Sequence, residues 1–302
     1  MPAQVEKLRQ SGLLKEDDGA RIVDLSEYGM PPCLILKRDG STLYPTRDIA
    51  AANYRAETYR FDKAIYVTSN QQCLHFSQWF KVCELMGYEW ADRLVHVPYG
   101  TVSVNGARLA TRTGNVVLLR DLFATAIDKV KEIMAVKNPN LENRDEAAEA
   151  VGVGAIVFHY LSNSRIKDSN FVMEEALNFD GNTGPYAQYT YARTCSLLEK
   201  AGGTVPEKPE GYSPCEEERA LVTTLSLFSE KIHDAVRDYE PMVITRYILD
   251  LCTAFNRFYH ECQILSAPEE STRAFRLRLT AAAKTVLGSA LTLICMKKTE
   301  KI

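Results

Sequence analysis

The chain has 302 residues, 46% of them hydrophobic and 25% charged, with a formal net charge of −3. That balance provides for about two domains with buried cores and excludes a disordered or fibrous chain. It also excludes a strongly basic global field, so any nucleic acid would have to be held by local clusters.

In chain order, residues 1 to about 120 read as α/β. A helix is expected from Val5 to Leu14, followed by strand-like runs at Ala20–Leu25 and Pro32–Lys37. Arg38-Asp-Gly-Ser41 supplies turn residues between Leu36 and Leu43, which suggests a hairpin there. Thr46-Arg-Asp48 then opens an Ala-rich helix to about Tyr59, with Thr46 or Asp48 placed to cap it. Lys63–Thr68 reads as a buried strand, and Leu74–Met86 as a helix stopped at Gly87. Strand, helix and strand in alternation favour a parallel sheet with crossover helices, whose ligands sit at the carboxyl ends of the strands.

From Leu119 the pattern turns helical. Leu122, Phe123, Ala126, Ile127, Val130, Ile133 and Met134 repeat at helical spacing, and Asn138-Pro-Asn140 ends that run. Further helices are expected at about 145–161, from Pro185 to Gly202-Gly203, and at 216–239, 243–262 and 272–293. Residues 204–214, rich in Pro and Gly, form a surface connection. The eight cysteines (33, 73, 83, 195, 215, 252, 262 and 295) include no Cys-x-x-Cys pair and no Cys/His cluster at zinc spacing. They read as small hydrophobes in a reducing, cytoplasmic compartment, and no metal site is expected. The first residues lack the apolar segment of a signal peptide, and no apolar run of about 18 residues suggests a membrane span.

Three constellations carry chemistry. The first is Tyr44, Asp48, Gln72 and His75. A carboxylate, a phenol and an amide lining one pocket would suit a guanidinium ligand, because a carboxylate accepts two parallel N–H bonds and an aromatic packs on the planar cation. The plainer alternative makes Asp48 a helix cap, Tyr44 a core aromatic, Gln72 a loop residue and His75 an ordinary helix residue. The second is the polar stretch 99–115, with Gly106 and Gly114 at its flexible points and Arg108 and Arg112 inside it. Such a loop can close over a triphosphate and stabilise departing pyrophosphate, or be a solvated surface hairpin. The third is the helix from Gly184, where Tyr186, Tyr189 and Arg193 share one face. They suit an unstacked RNA base, or a half-buried aromatic stripe packed on a neighbouring helix.

Taken together, these stretches resemble the arginyl-tRNA synthetases of class I. The resemblance lies in Leu43-Tyr-Pro-Thr-Arg-Asp-Ile-Ala50, Gln71-Gln72 with His75, Leu109-Ala-Thr-Arg-Thr-Gly-Asn115 and Phe179-Asp-Gly-Asn-Thr-Gly-Pro-Tyr-Ala-Gln-Tyr189, in the family's order, and continues through Phe255-Asn-Arg-Phe-Tyr-His260 to the C-terminus. The resemblance implies the second half of a Rossmann-like nucleotide-binding fold (1–120), connecting helices (121–180) and a helical-bundle anticodon-binding domain (181–302). It implies formation of arginyl-adenylate from arginine and ATP, with Mg²⁺ accompanying the ATP, and transfer to the 3′ end of tRNA-Arg. Tyr44, Asp48, Gln72 and His75 match arginine-binding positions. Arg108, Thr111 and Arg112 match the signature loop, and Tyr186, Tyr189, Arg193, Asn256 and Tyr259 the anticodon-facing surface.

Two departures matter. The family's Lys-Met-Ser-Thr-Arg-Lys-Gly loop reads Arg108-Leu-Ala-Thr-Arg-Thr-Gly114, without either lysine. The His-Ile-Gly-His element of the first half is missing, since no two of the five histidines are close enough to form it. The chain therefore reads as a truncated, split or excised piece, inactive alone, completed by an N-terminal half. Residues 1–120 are expected to leave apolar sheet surface uncovered and to be less stable than the helical part. The competing reading is a non-catalytic tRNA-binding module that uses only the helical C-terminal domain.

Overall fold

A computed structural model of the chain describes residues 2–108, 118–207 and 209–302. The chain divides into two compact units, residues 1–100 and 101–302.

The first unit opens with helix α1 (Pro2–Gln10) and strands β1 (Leu14–Asp17), β2 (Ala20–Val23) and β3 (Cys33–Leu36). These three strands form an antiparallel sheet in the order β1-β2-β3. The tight hairpin joins β1 to β2, where Asp18 and Gly19 both take positive φ, as a two-residue turn of that twist requires. The expected helix through Leu14 is therefore shorter, because that apolar residue opens a strand instead. The turn at Arg38–Ser41 exists, but it is followed by a single bridge, Leu36 to Thr42, and no second strand.

Helix α2 (Tyr44–Tyr59) begins two residues before Thr46, with Pro45 in its first turn and Leu43 as an N-cap that makes no side-chain bond. This corrects the capping expectation. Thr46 and Asp48 lie inside the helix, and the buried Thr46 hydroxyl donates to the Ile35 carbonyl at 2.6 Å. Strand β4 (Ala64–Ser69), helix α3 (Cys73–Leu85) and strand β5 (Leu94–Tyr99) follow, with β4 and β5 paired in parallel. The crossover unit is thus present, but as a two-stranded sheet.

Tyr66 points to the α3 side of this sheet, against Phe76, Trp79 and Phe80. Its neighbours Ile65 and Val67 point the other way and are 49% and 63% exposed. Parallel sheets normally bury both faces, so one face of this one is open, as the sequence suggests.

The second unit begins with β6 (Val102–Val104) and β7 (Ala107–Arg108), an antiparallel pair turning at Asn105-Gly106. Helices α4 (Leu119–Lys137) and α5 (Arg144–Leu161) pack together, and β8 (Ser169–Phe171) adds in parallel to β6. The β6–β7 pair falls in the stretch for which a hairpin is the plainer alternative, whereas β8 has no counterpart in the sequence reading. After a short helix α6 (Met173–Ala176) come α7 (Gly184–Lys200), α8 (Glu216–Ser226), α9 (Phe228–Asp238), α10 (Met242–Glu261) and α11 (Glu270–Leu293). The expected helix 216–239 is two helices, broken at Leu227.

Thr183 caps α7, its hydroxyl accepting from the Tyr186 amide, and Pro185 sits in the first turn. Two glycines let α5 and α7 approach closely: a Cβ on Gly184 would lie 2.7 Å from the Gly154 carbonyl oxygen. The bundle core of α7, α8, α10 and α11 includes Tyr191, Leu221, Ile248, Phe255, Phe258 and Leu287. None of the described helices is long and apolar enough to cross a membrane.

Candidate active site and RNA-facing surface

In the first unit, Asp48 stands on the second turn of α2 and His75 on the first turn of α3, just beyond the carboxyl end of β4. The His75 Nε2 and Asp48 Oδ2 are 2.7 Å apart. The carboxylate is 38% exposed. Asp48 Oδ1 accepts no hydrogen bond among the described residues. Tyr44, at the first position of α2, is 72% exposed, and Gln72 is exposed in the turn between β4 and α3. Neither bonds to Asp48, so the pair that forms is Asp48 with His75, with Tyr44 and Gln72 open to solvent. Below them the Tyr66 phenol is raised by burial, lowered by the Arg55 bond at 3.3 Å and raised again by the Asp48 charge, with a net upward shift.

Of the loop expected to meet the nucleotide, Arg108 closes β7. Thr111 and Arg112 lie outside the described residues.

In the second unit, all five RNA-facing candidates come together where α7 crosses α10. The Arg193 guanidinium lies between two rings, 5.1 Å from the Tyr189 centroid and 4.7 Å from that of Tyr259. Arg193 Nη1 donates to Asn256 Oδ1. The Asn256 amide in turn donates to the Tyr186 hydroxyl at 2.9 Å and to the Thr190 hydroxyl at 3.2 Å. Each polar atom of this network restricts its neighbour, which orients the guanidinium plane. Tyr189 remains 43% exposed, which leaves an aromatic surface open beside a cation.

The sequence reading missed Thr190, whose hydroxyl completes the network, and the wall of the adjoining cavity. That cavity, of about 1010 Å³, is lined by Tyr189, Arg193 and Tyr259, by the loop after α4, and by Lys297 to Ile302. The buried Gln188 amide holds this last segment, donating to the Lys297 carbonyl at 2.9 Å and to that of Ala150 at 3.0 Å.

Residues 1–173 match the model of the class I (R) tRNA synthetase catalytic domain, and residues 187–302 that of the DALR anticodon binding domain. The chain belongs to the arginyl-tRNA synthetase family. It is 52% identical over 99% of its length to the arginine--tRNA ligase of Clostridioides difficile, covering 53% of that protein. It is 50% identical over its whole length to the arginine--tRNA ligase of Halothermothrix orenii, again covering 53%. Among solved structures, the arginyl-tRNA synthetase of Thermus thermophilus superposes on the whole chain with a TM-score of 0.91 at 26% identity, 58% of that chain being covered. The catalytic-domain match runs past the boundary between the two units, through α4, α5 and β8, and the anticodon-domain match covers the helices from α7 onward. The chain spans about half the length of the curated relatives it matches.

Proposed function

We propose that the chain is the part of an arginine--tRNA ligase that carries the arginine-recognising half of the activation site and the anticodon-binding domain. The observation that carries this reading is the Asp48 carboxylate, held through Oδ2 by His75 beyond the end of β4 with Oδ1 left to accept. A guanidinium needs such an acceptor, with Tyr44 to pack on its face and Gln72 to bond its amino acid end. An amino acid without a cation would leave the carboxylate uncompensated once the site closes.

ATP, with its Mg²⁺, is the second substrate. Arg108, Thr111 and Arg112 are assigned to the phosphates, where fixed positive charge stabilises departing pyrophosphate. The arginyl group then passes from the adenylate to the tRNA 3′ end without a covalent enzyme intermediate. On this reading residues 1–120 form the catalytic part, 121–180 connect, and 181–302 meet the anticodon. The open face of β4, with Ile65 and Val67, receives the first half of the nucleotide fold, which carries the histidine element.

The Tyr189–Arg193–Tyr259 sandwich is assigned to an anticodon base of tRNA-Arg, with Tyr189 as the stacking platform and Tyr186 and Asn256 as its support. Stacking on an aromatic platform contributes about 1–3 kcal/mol per base. Arg193→Ala removes both the cation and the group that orients the rings. It is expected to weaken binding of an anticodon stem–loop from an arginine-accepting tRNA by roughly tenfold or more, read by fluorescence anisotropy, with the melting temperature little changed. Unchanged affinity would remove this surface from the RNA site. The alternative, a tRNA-binding module without catalysis, is favoured by the separate core of the second unit; it predicts the same anisotropy result but no role for Asp48.

A further inference from the structure

The helical unit brings together two cysteines that lie 47 residues apart: Cys215 Sγ and Cys262 Sγ are 3.7 Å from one another. A Glu217 carboxylate oxygen lies within 4.8 Å of both sulfurs. Cys215 and Glu217 open α8, and Cys262 follows the last residue of α10, so the three side chains converge from two packed helices. We propose that Cys215, Cys262 and Glu217 form a zinc site with water in the fourth position, clamping the start of α8 to the end of α10.

The geometry fits the ion. In a tetrahedral site with Zn–S bonds of about 2.3 Å, two sulfurs lie about 3.8 Å apart. Thiolates select zinc over the harder cations Mg²⁺, Ca²⁺ and Mn²⁺. The surroundings also fit. The Cys215 sulfur accepts the Glu218 amide at the N-terminus of α8, where backbone N–H groups favour a thiolate. Arg257 donates to Glu217 at 3.1 Å, orienting the third ligand from behind. Arg276 pairs with the buried Glu218 at 2.6 Å. Two thiolates, Glu217 and Glu218 carry four negative charges, which Zn²⁺, Arg257 and Arg276 balance; Glu216, also near Arg257 at 3.5 Å, is solvated.

The test is titration of the full chain, reduced and stripped of metal, with Co²⁺ and then Zn²⁺. One Co²⁺ per chain should give a thiolate-to-cobalt charge-transfer band, which one equivalent of Zn²⁺ abolishes. Zn²⁺ should also raise the melting temperature. Cys215→Ser and Cys262→Ser should each remove the band and the thermal shift while leaving the helical circular dichroism unchanged. Glu217→Gln should weaken binding by about tenfold or more. Absence of the band in the native chain, or uptake that survives in the double serine variant, would overturn the site. So would a Cys215–Cys262 disulfide recovered from chain prepared with reductant and Zn²⁺ present.

Discussion

Asp48→Asn is expected to raise the KM for arginine by roughly 100-fold, about 3 kcal/mol, in an enzyme formed by joining this chain to the part of a curated relative's catalytic domain that it does not match. The substitution keeps the shape of the side chain and its contact with His75 but removes the charge that faces the guanidinium. The loss falls at the lower end for breaking such a pair because the carboxylate is 38% exposed before substrate binds. The loss should fall on arginine and leave the KM for ATP nearly unchanged, since uniform loss of ground-state binding raises KM alone. His75→Asn should cost less, because it releases Oδ2 without removing the charge. Steady-state kinetics with arginine and ATP varied separately distinguishes these outcomes. An unchanged arginine KM in the Asp48 variant would transfer cation recognition elsewhere.

The second large effect concerns stability. Glu218 is fully buried and holds Arg276 Nε at 2.6 Å, the Tyr212 hydroxyl at 2.9 Å and the Cys215 amide at 2.9 Å. Burial alone would raise its pKa, but these partners, Arg276 first among them, bring it below the ordinary glutamate value. Arg276→Ala leaves a buried carboxylate without its cation, which is expected to cost about 3–5 kcal/mol of stability in the helical unit. Arg276→Met with Glu218→Leu, which removes both charges, should cost less. The sign with pH follows from the lowered folded value: the pair's stabilisation is complete above the unfolded glutamate pKa and fades as pH falls through the folded one. Urea unfolding of the native chain should therefore lose stability in the acid range, and the Arg276→Ala chain should lose less. An equal acid loss in both would show that this pair is not responsible.

Periodicity made the helical half legible. The apolar positions of α4 recur at helical spacing, and Pro185 and the paired glycines at 202–203 mark where α7 begins and ends. The errors came where local chemistry competes. Leu14 continues an apolar helical run, yet Asp18-Gly19 is a better two-residue turn than α1 is a long helix. Thr46 and Asp48 carry the composition of a cap, but Pro45 starts α2 earlier and leaves both inside it. The break at Leu227 has no Gly or Pro to announce it. In the site, the family resemblance named Asp48 and His75, and Arg193 and Asn256, but not the bonds that join each pair. His75 is 27 residues from Asp48 and Asn256 is 63 from Arg193, distances at which only tertiary packing makes a contact. The same limit hid Cys215 and Cys262, which share no zinc-like spacing in sequence.

Arginine-dependent ATP–pyrophosphate exchange tests the central claim most directly, measured on the chain alone, on the chain joined to the first half of a relative's catalytic domain, and on that joined enzyme carrying Asp48→Asn. The account predicts no exchange by the chain alone, clear exchange once joined, and a rate at low arginine reduced roughly 100-fold by the substitution. Exchange by the isolated chain, or a joined enzyme indifferent to Asp48→Asn, would contradict it.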